Sequence, residues 1–212
     1  MINKKIKELI KENKIIILGA SKTKSINEIY SVYNEGIKIF GENYVQELKE
    51  KYTPSLPFEF HYIGKLQTNK IKDIIPRVTM IHSVSRIKEL EVINKECQKI
   101  NKHINILIEL HLTDESTKNG VIIEELDQLI NTIKNYPYIT LRGFMTMGPL
   151  SENIDETIKV FTKANEIFNK YRNIINTIDT LSMGMSNDYE LAIQHGATLI
   201  RLGTILFGKR NY

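Results

Sequence analysis

Only one cysteine, Cys97, occurs in a chain of 212 residues. That count excludes a disulfide framework and a thiolate metal site. Long hydrophobic runs are missing too: no stretch approaches the roughly 20 apolar residues that a bilayer-spanning helix needs. No signal-peptide pattern leads the chain, so the expectation is a reducing cytoplasm and no membrane partner. Neither sign of charge dominates. With 29 basic and 25 acidic residues the net charge is +4, too mild to argue for nucleic acid. Pro/Ser-rich linkers and low-complexity tracts are absent, which predicts a single domain over residues 1–212. The histidines, His61, His82, His103, His111 and His195, lack metal-ligand spacing and read as structural or exposed.

What the chain does have is an alternation of short β-branched runs with helical periods. Candidate strands are Ile15–Ala20, Gly36–Phe40, Phe58–Ile63, Val78–His82, Ile104–Leu110, Ile139–Phe144, Thr177–Leu181 and Ala197–Leu202. Amphipathic stretches lie between them: Ile26–Asn34, Val45–Tyr52, Leu66–Ile75, Arg86–Ile100, Ile122–Asn135, Ile154–Tyr171 and Ser186–His195. Eight strands, each followed by a helix or turn, predict an α/β fold that closes into a (β/α)8 TIM barrel, with a doubly wound open sheet as the competing arrangement. Lys4, Lys5, Lys7, Lys11 and Lys14 interleave with Ile6, Leu9 and Ile10 at helical spacing, which reads as a solvated helix face. Ser25 and Glu28 form a capping-box pattern, and Ser186 followed by Asp188 reads as another N-cap.

The first strand ends in "IIILGASKTKS". Strand alternation puts Ile16, Leu18, Ala20 and Lys22 on one face. If that face lines a barrel, Lys22 projects at the C-terminal rim, where barrel active sites are built. A desolvated lysine amine can attack a carbonyl to form a Schiff base; a rim lysine paired with a carboxylate is the plainer alternative. Lys24 falls in the turn before the capping box and reads as facing solvent or phosphate. After the seventh and eighth strands come "LSMGMSND" and "IRLGTILFG", the places where barrels recurrently bind phosphate. Ser182, Gly184, Ser186, Gly203 and Thr204 supply hydroxyls, free backbone N–H groups and close backbone approach. Arg201 alternates with Leu199 and Gly203, which sets a guanidinium inside the barrel near its top. Its partner is either a barrel glutamate such as Glu109 or an acceptor atom of a ligand. Lysine for an aldehyde, a phosphate cradle and a cation between them describe pyridoxal 5′-phosphate (PLP).

The blocks "SKTK", "FGENYVQE", "HYIGKLQTNK", "LRGFMTMGPL", "LSMGMSND" and "IRLGTILFG" resemble, in order and over nearly the whole chain, the pyridoxal phosphate homeostasis proteins. The fold of that family is similar to the N-terminal barrel of alanine racemase, the fold-type III arrangement of PLP-binding proteins. The resemblance implies that Lys22 forms the Schiff base with PLP and that Ser182, Ser186, Gly203 and Thr204 hold the phosphate. It implies further that Arg201 faces the pyridine nitrogen and that Asn43 lies near the ring. This chain departs from the family pattern at Lys65, where histidine is usual, and at Phe60, where tryptophan is usual. The segment "LHLTDESTKNG" before and around Lys118 is also loose.

A PLP enzyme needs a carboxylate to keep the pyridine nitrogen protonated as an electron sink. Arginine is always cationic and opposes that protonation. Catalysis would also need a second acid/base, for which Tyr44, His61 and His82 are conceivable but are more often packed or rim residues. The expected function is therefore a non-enzymatic PLP-binding protein in intracellular vitamin B6 homeostasis, monomeric, with apo PLP-dependent enzymes as possible recipients. A small racemase-like PLP enzyme is the alternative. A cofactor-free Schiff-base aldolase is a third reading.

Overall fold

The computed structural model describes residues 2–12, 14–113, 119–149 and 153–208. Eight parallel strands close into a barrel in chain order: β1 (Ile16–Ala20), β2 (Ile39–Glu42), β3 (Glu59–Tyr62), β4 (Met80–Val84), β5 (Ile104–Glu109), β6 (Ile139–Met145), β7 (Thr180–Ser182) and β8 (Leu199–Leu202). The helices are α1 (Lys4–Glu12), α2 (Ile26–Asn34), α3 (Val45–Lys51), α4 (Ile71–Ile74), α5 (Ile87–Lys99), α6 (Ile123–Ile133), α7 (Ile154–Arg172), α8 (Tyr189–Gln194) and α9 (Thr204–Phe207). Closure is made by β1 on β8, with Leu18 opposite Arg201 and Gly19 opposite Leu202. The open doubly wound sheet is thereby excluded.

Alternation along the strands divides the core in two. Ile17, Phe40, Ile81, Ile106, Phe144, Leu181 and Ile200 face outward into the layer shared with the helices. Met80, Leu107 and Met145 form a separate small cluster. Phe60 lies in the outer layer, edge-on to Phe58 with ring centroids 5.6 Å apart. Its departure from the family's tryptophan therefore concerns helix packing and not the rim.

The capping box of α2 is present: the Ser25 hydroxyl accepts from the Glu28 N–H, and the Glu28 carboxylate accepts from the Ser25 N–H. The lysine-rich start is a helix whose buried residue is Ile6. Other boundaries shift. Strand β2 begins three residues later than the sequence suggests, because Gly36 turns the chain at φ +110 and Ile37 packs into the core before pairing starts. Strand β4 runs two residues further than expected, to Val84, and β7 is displaced to Thr180–Ser182. Helix α8 begins at Tyr189 with Asp188 as its N-cap, so Ser186 is not the cap. Its hydroxyl is used elsewhere, as described below. Among the described residues, no helix is long and apolar enough to cross a membrane.

Gly143 on β6 has φ +143, and a β-carbon there would lie 1.9 Å from the Thr180 carbonyl oxygen of β7. Gly143→Ala is expected to destabilise the fold by roughly 3 kcal/mol or more, from strain plus a backbone clash that no side chain can relieve. Urea unfolding checks this; an unchanged midpoint would show that the β6–β7 spacing yields.

Candidate functional site

Strand β1 emerges at the rim between β2 and β8, so its final residues meet both. On the β8 side, the position a β-carbon would take at Gly203 is 3.8 Å from the Ala20 Cβ. On the β2 side, the Ser21 N–H donates to the Gly41 carbonyl at 3.0 Å. Lys22, partly exposed, follows Ser21 at this rim. Lys24 is turned away from open solvent and is paired within the protein. Its ammonium donates to Glu28 Oε1 at 3.0 Å and to the Phe207 carbonyl at 3.4 Å, which ties the start of α2 to the end of α9.

Asn43 is fixed by its backbone. Its carbonyl accepts from the Tyr62 hydroxyl at 3.1 Å and lies so close to Gly64 that a β-carbon there would sit 2.1 Å away. Its side-chain Oδ1 is buried and makes no hydrogen bond. A buried acceptor left without a donor carries a desolvation cost of about 1–3 kcal/mol.

Three of the four predicted phosphate residues come together. The Ser186 hydroxyl oxygen accepts from the Gly203 N–H at 3.2 Å and from the Ile205 N–H at 3.4 Å, with Thr204 between them at the start of α9. Gly203 has φ −109, which any residue adopts, and a β-carbon there would make only ordinary contacts, with Ala20. What this glycine supplies is open space in front of the backbone donors. Ser182 is the exception. It is fully buried inside the barrel, and its hydroxyl accepts from Arg201 Nη1 at 2.6 Å while lying 3.2 Å from His82 Nδ1. As a strand residue its side chain turns to the interior, whereas Ser186 lies in the loop beyond.

Arg201 is inside the barrel near the top, 6% exposed. Nη1 donates to the Ser182 carbonyl as well as its hydroxyl, and Nη2 donates to the Thr146 carbonyl at 3.0 Å. Glu109, named from sequence as the plain partner, is not its hydrogen-bonding partner; it acts on the guanidinium through space. Burial raises the Glu109 carboxyl above its ordinary value, and the positive charge of Arg201 partly opposes that. Burial also brings the guanidinium down to about 10, so it remains a cation at neutral pH.

Behind Arg201 runs a polar chain that sequence reading missed. His61 Nδ1 lies 2.9 Å from His82 Nε2, and His82 Nδ1 reaches the Ser182 hydroxyl. Burial drives His61 down to about 3; burial, with His61 and Arg201 nearby, holds His82 well below its ordinary value. Both imidazoles are therefore neutral, and each must donate at one nitrogen and accept at the other. The available signal was one histidine on each of two neighbouring strands, both at inward-facing steps. Tyr44, the other candidate acid/base, is exposed, as is Lys65 at the rim. Met145 is buried in the inner cluster, with Met147 packed against it; Met183 is in the main core and Met185 is exposed. Lys118 lies outside the described residues.

The chain matches the family model described as the N-terminal domain of alanine racemase over residues 7–211. It is 41% identical over 204 residues to the pyridoxal phosphate homeostasis protein of Aquifex aeolicus, covering 95% of this chain and 90% of that one. To the protein of the same name in Haemophilus influenzae it is 37% identical over 223 residues, covering 100% and 94%. The solved structure of PipY from Synechococcus elongatus with PLP bound superposes with a TM-score of 0.84 at 28% identity, covering 92% of this chain and 93% of PipY.

The neutral histidine pair makes stability depend on pH. His61 is ordinarily half-protonated at 6.5 and in the folded chain only near 3. Below the higher value the unfolded chain takes up a proton that the folded chain refuses, so this contribution is complete above pH 6.5 and is lost as pH falls toward about 3. Thermal melts between about pH 7 and pH 4 should show the midpoint dropping, with a shallower slope in His61→Gln. Equal slopes would mean that the pair is not held neutral.

Proposed function

Because the chain belongs to the alanine racemase N-terminal domain family, among the pyridoxal phosphate homeostasis proteins, we propose that it binds PLP reversibly on Lys22 and serves vitamin B6 homeostasis as a carrier. The observation that carries this reading is the meeting of three features at one rim. Ala20, two residues before Lys22, lies beside Gly203; the Gly203 and Ile205 amides converge on the Ser186 hydroxyl; and Arg201, two residues before Gly203, is inside the barrel. The residues fit the coenzyme. Asn43 Oδ1 is a buried acceptor in need of a donor, and Gly203 leaves room that a side chain would fill. When bound, PLP supplies an aldehyde that a lysine amine captures as a reversible Schiff base.

This chain's own residues would divide the work. Lys22 provides the amine. Ser186, Thr204 and the N–H groups of Gly203 and Ile205 take the phosphate. Asn43 and Arg201 orient the ring, with Ser182 bracing the guanidinium from behind. A carrier is favoured over a racemase-like enzyme by the state of the titratable groups. Arg201 presents a permanent cation where an electron sink would call for a carboxylate. His61 and His82 are tied into the barrel interior and titrate far from neutrality, which disqualifies them as general bases near pH 7. Apo PLP-dependent enzymes in the same compartment, the cytoplasm, are the recipients this reading requires, and a monomer would present its rim to them.

Borohydride reduction of the PLP-loaded protein, followed by peptide mapping, is expected to mark Lys22 with a pyridoxyl group. Lys22→Ala should lose the yellow absorbance with little change in melting temperature, since it removes a half-exposed side chain. Gly203→Ala should weaken PLP retention about tenfold while the fold is unaffected, because the protein itself leaves space for that methyl. A pyridoxyl mark elsewhere with Lys22 untouched, or amino-acid racemisation at ordinary enzymatic rates, would sink the reading.

A further inference from the structure

We infer that Glu47 and Lys51 on α3 are positioning residues for Lys22: they clamp the peptide units on both sides of it and hold the chain in a turn it would not adopt unaided. The inference deepens the functional reading above and rests on it for the identity of the reactive lysine.

The turn itself is unusual. Thr23, immediately after Lys22, has φ +65. That left-handed conformation is disfavoured for a β-branched residue and persists only where surroundings enforce it. The turn closes on itself through the Lys24 N–H, which donates to the Ser21 carbonyl at 3.0 Å, and the remaining bonds to it come from the neighbouring β/α unit. The Thr23 N–H donates to Glu47 Oε2 at 2.7 Å. The same oxygen accepts from the Lys51 ammonium at 2.7 Å, one helical turn further along α3. Lys51 also donates to the Ser21 carbonyl at 2.9 Å and to Glu42 Oε1 at 2.9 Å, which spends all three of its protons. Glu42 Oε1 in turn accepts from the Ser21 hydroxyl at 2.6 Å.

Ser21 and Thr23 are thus both anchored, one on its carbonyl and hydroxyl and the other on its amide, and Lys22 lies between. An i,i+4 Glu–Lys pair on a helix ordinarily reads as a solvent-facing ion pair of little consequence. This pair is not such a case: the Lys51 side chain is 9% exposed and Glu42 is fully buried. With the backbone pinned on either side, the Lys22 side chain starts from a defined point and direction at the rim.

The test uses Glu47→Ala, which removes the acceptor for Thr23 while leaving Lys51 its bonds to Ser21 and Glu42. Lys51→Met would strand the buried Glu42 carboxylate and risk misfolding, so it is the weaker probe. Amide hydrogen exchange at Thr23 in the cofactor-free protein is expected to rise about tenfold or more in Glu47→Ala. Trace acetylation should show Lys22 reactivity changed by about threefold relative to other lysines, and PLP affinity should fall about tenfold with the melting temperature nearly constant. Adding Thr23→Gly, which adopts positive φ without strain, should restore Lys22 reactivity and PLP binding although the amide at position 23 stays unprotected. Unchanged Thr23 exchange, unchanged Lys22 reactivity, or failure of Thr23→Gly to rescue would each overturn the inference. If the wild-type protein acquires no pyridoxyl mark on Lys22, the functional reading falls, while exchange and acetylation still decide whether the clamp exists.

Discussion

The hydrogen bonding of β1 to β8 is the constraint on which everything else in this molecule depends. A sheet that stayed open would leave the first strand and the last at opposite edges, many ångströms apart. Closure sets Leu18 opposite Arg201 and Gly19 opposite Leu202. The residues that follow those pairs, Lys22 on one side and Gly203–Thr204 on the other, then meet at a single rim. Closure brings the two ends of the chain to the same end of the barrel.

The barrel interior is more polar than the usual layers of branched aliphatic side chains. Arg201, Ser182, His82 and His61 form one connected line, and Glu109 lies within reach of its field. A buried cation is tolerated only where its donors are matched. Here the Ser182 and Thr146 carbonyls and the Ser182 hydroxyl do the matching. The two imidazoles extend the hydrogen bonding without adding charge, because burial keeps both deprotonated. The guanidinium is thereby locked in orientation, with Glu109 and Asp188 acting on its charge through space.

Much of this was legible in the sequence, and the misses have physical causes. Eight β-branched runs spaced by amphipathic periods are a direct image of the barrel. The inward position of Arg201 was legible because inward-facing positions in a strand recur at every second residue. The boundary of β2 was misplaced because Ile37 is as β-branched and buried as a strand residue, although it packs before pairing begins. Two serines four residues apart look equivalent in "LSMGMSND". Only the three-dimensional path shows that the first still belongs to the strand and turns inward. The pairing of His61 with His82, and the reach of Lys51 back to Ser21, depend on which elements become neighbours, and single-chain periodicity does not encode that.

The bonds that the Gly203 and Ile205 amides donate to the Ser186 hydroxyl oxygen have a consequence for anything that would bind there. Backbone donors shut away from both water and any acceptor would cost about 1–3 kcal/mol each. With the serine oxygen in place the two amides are already satisfied, so an incoming acceptor would gain only the difference between its own bonds and those it displaces.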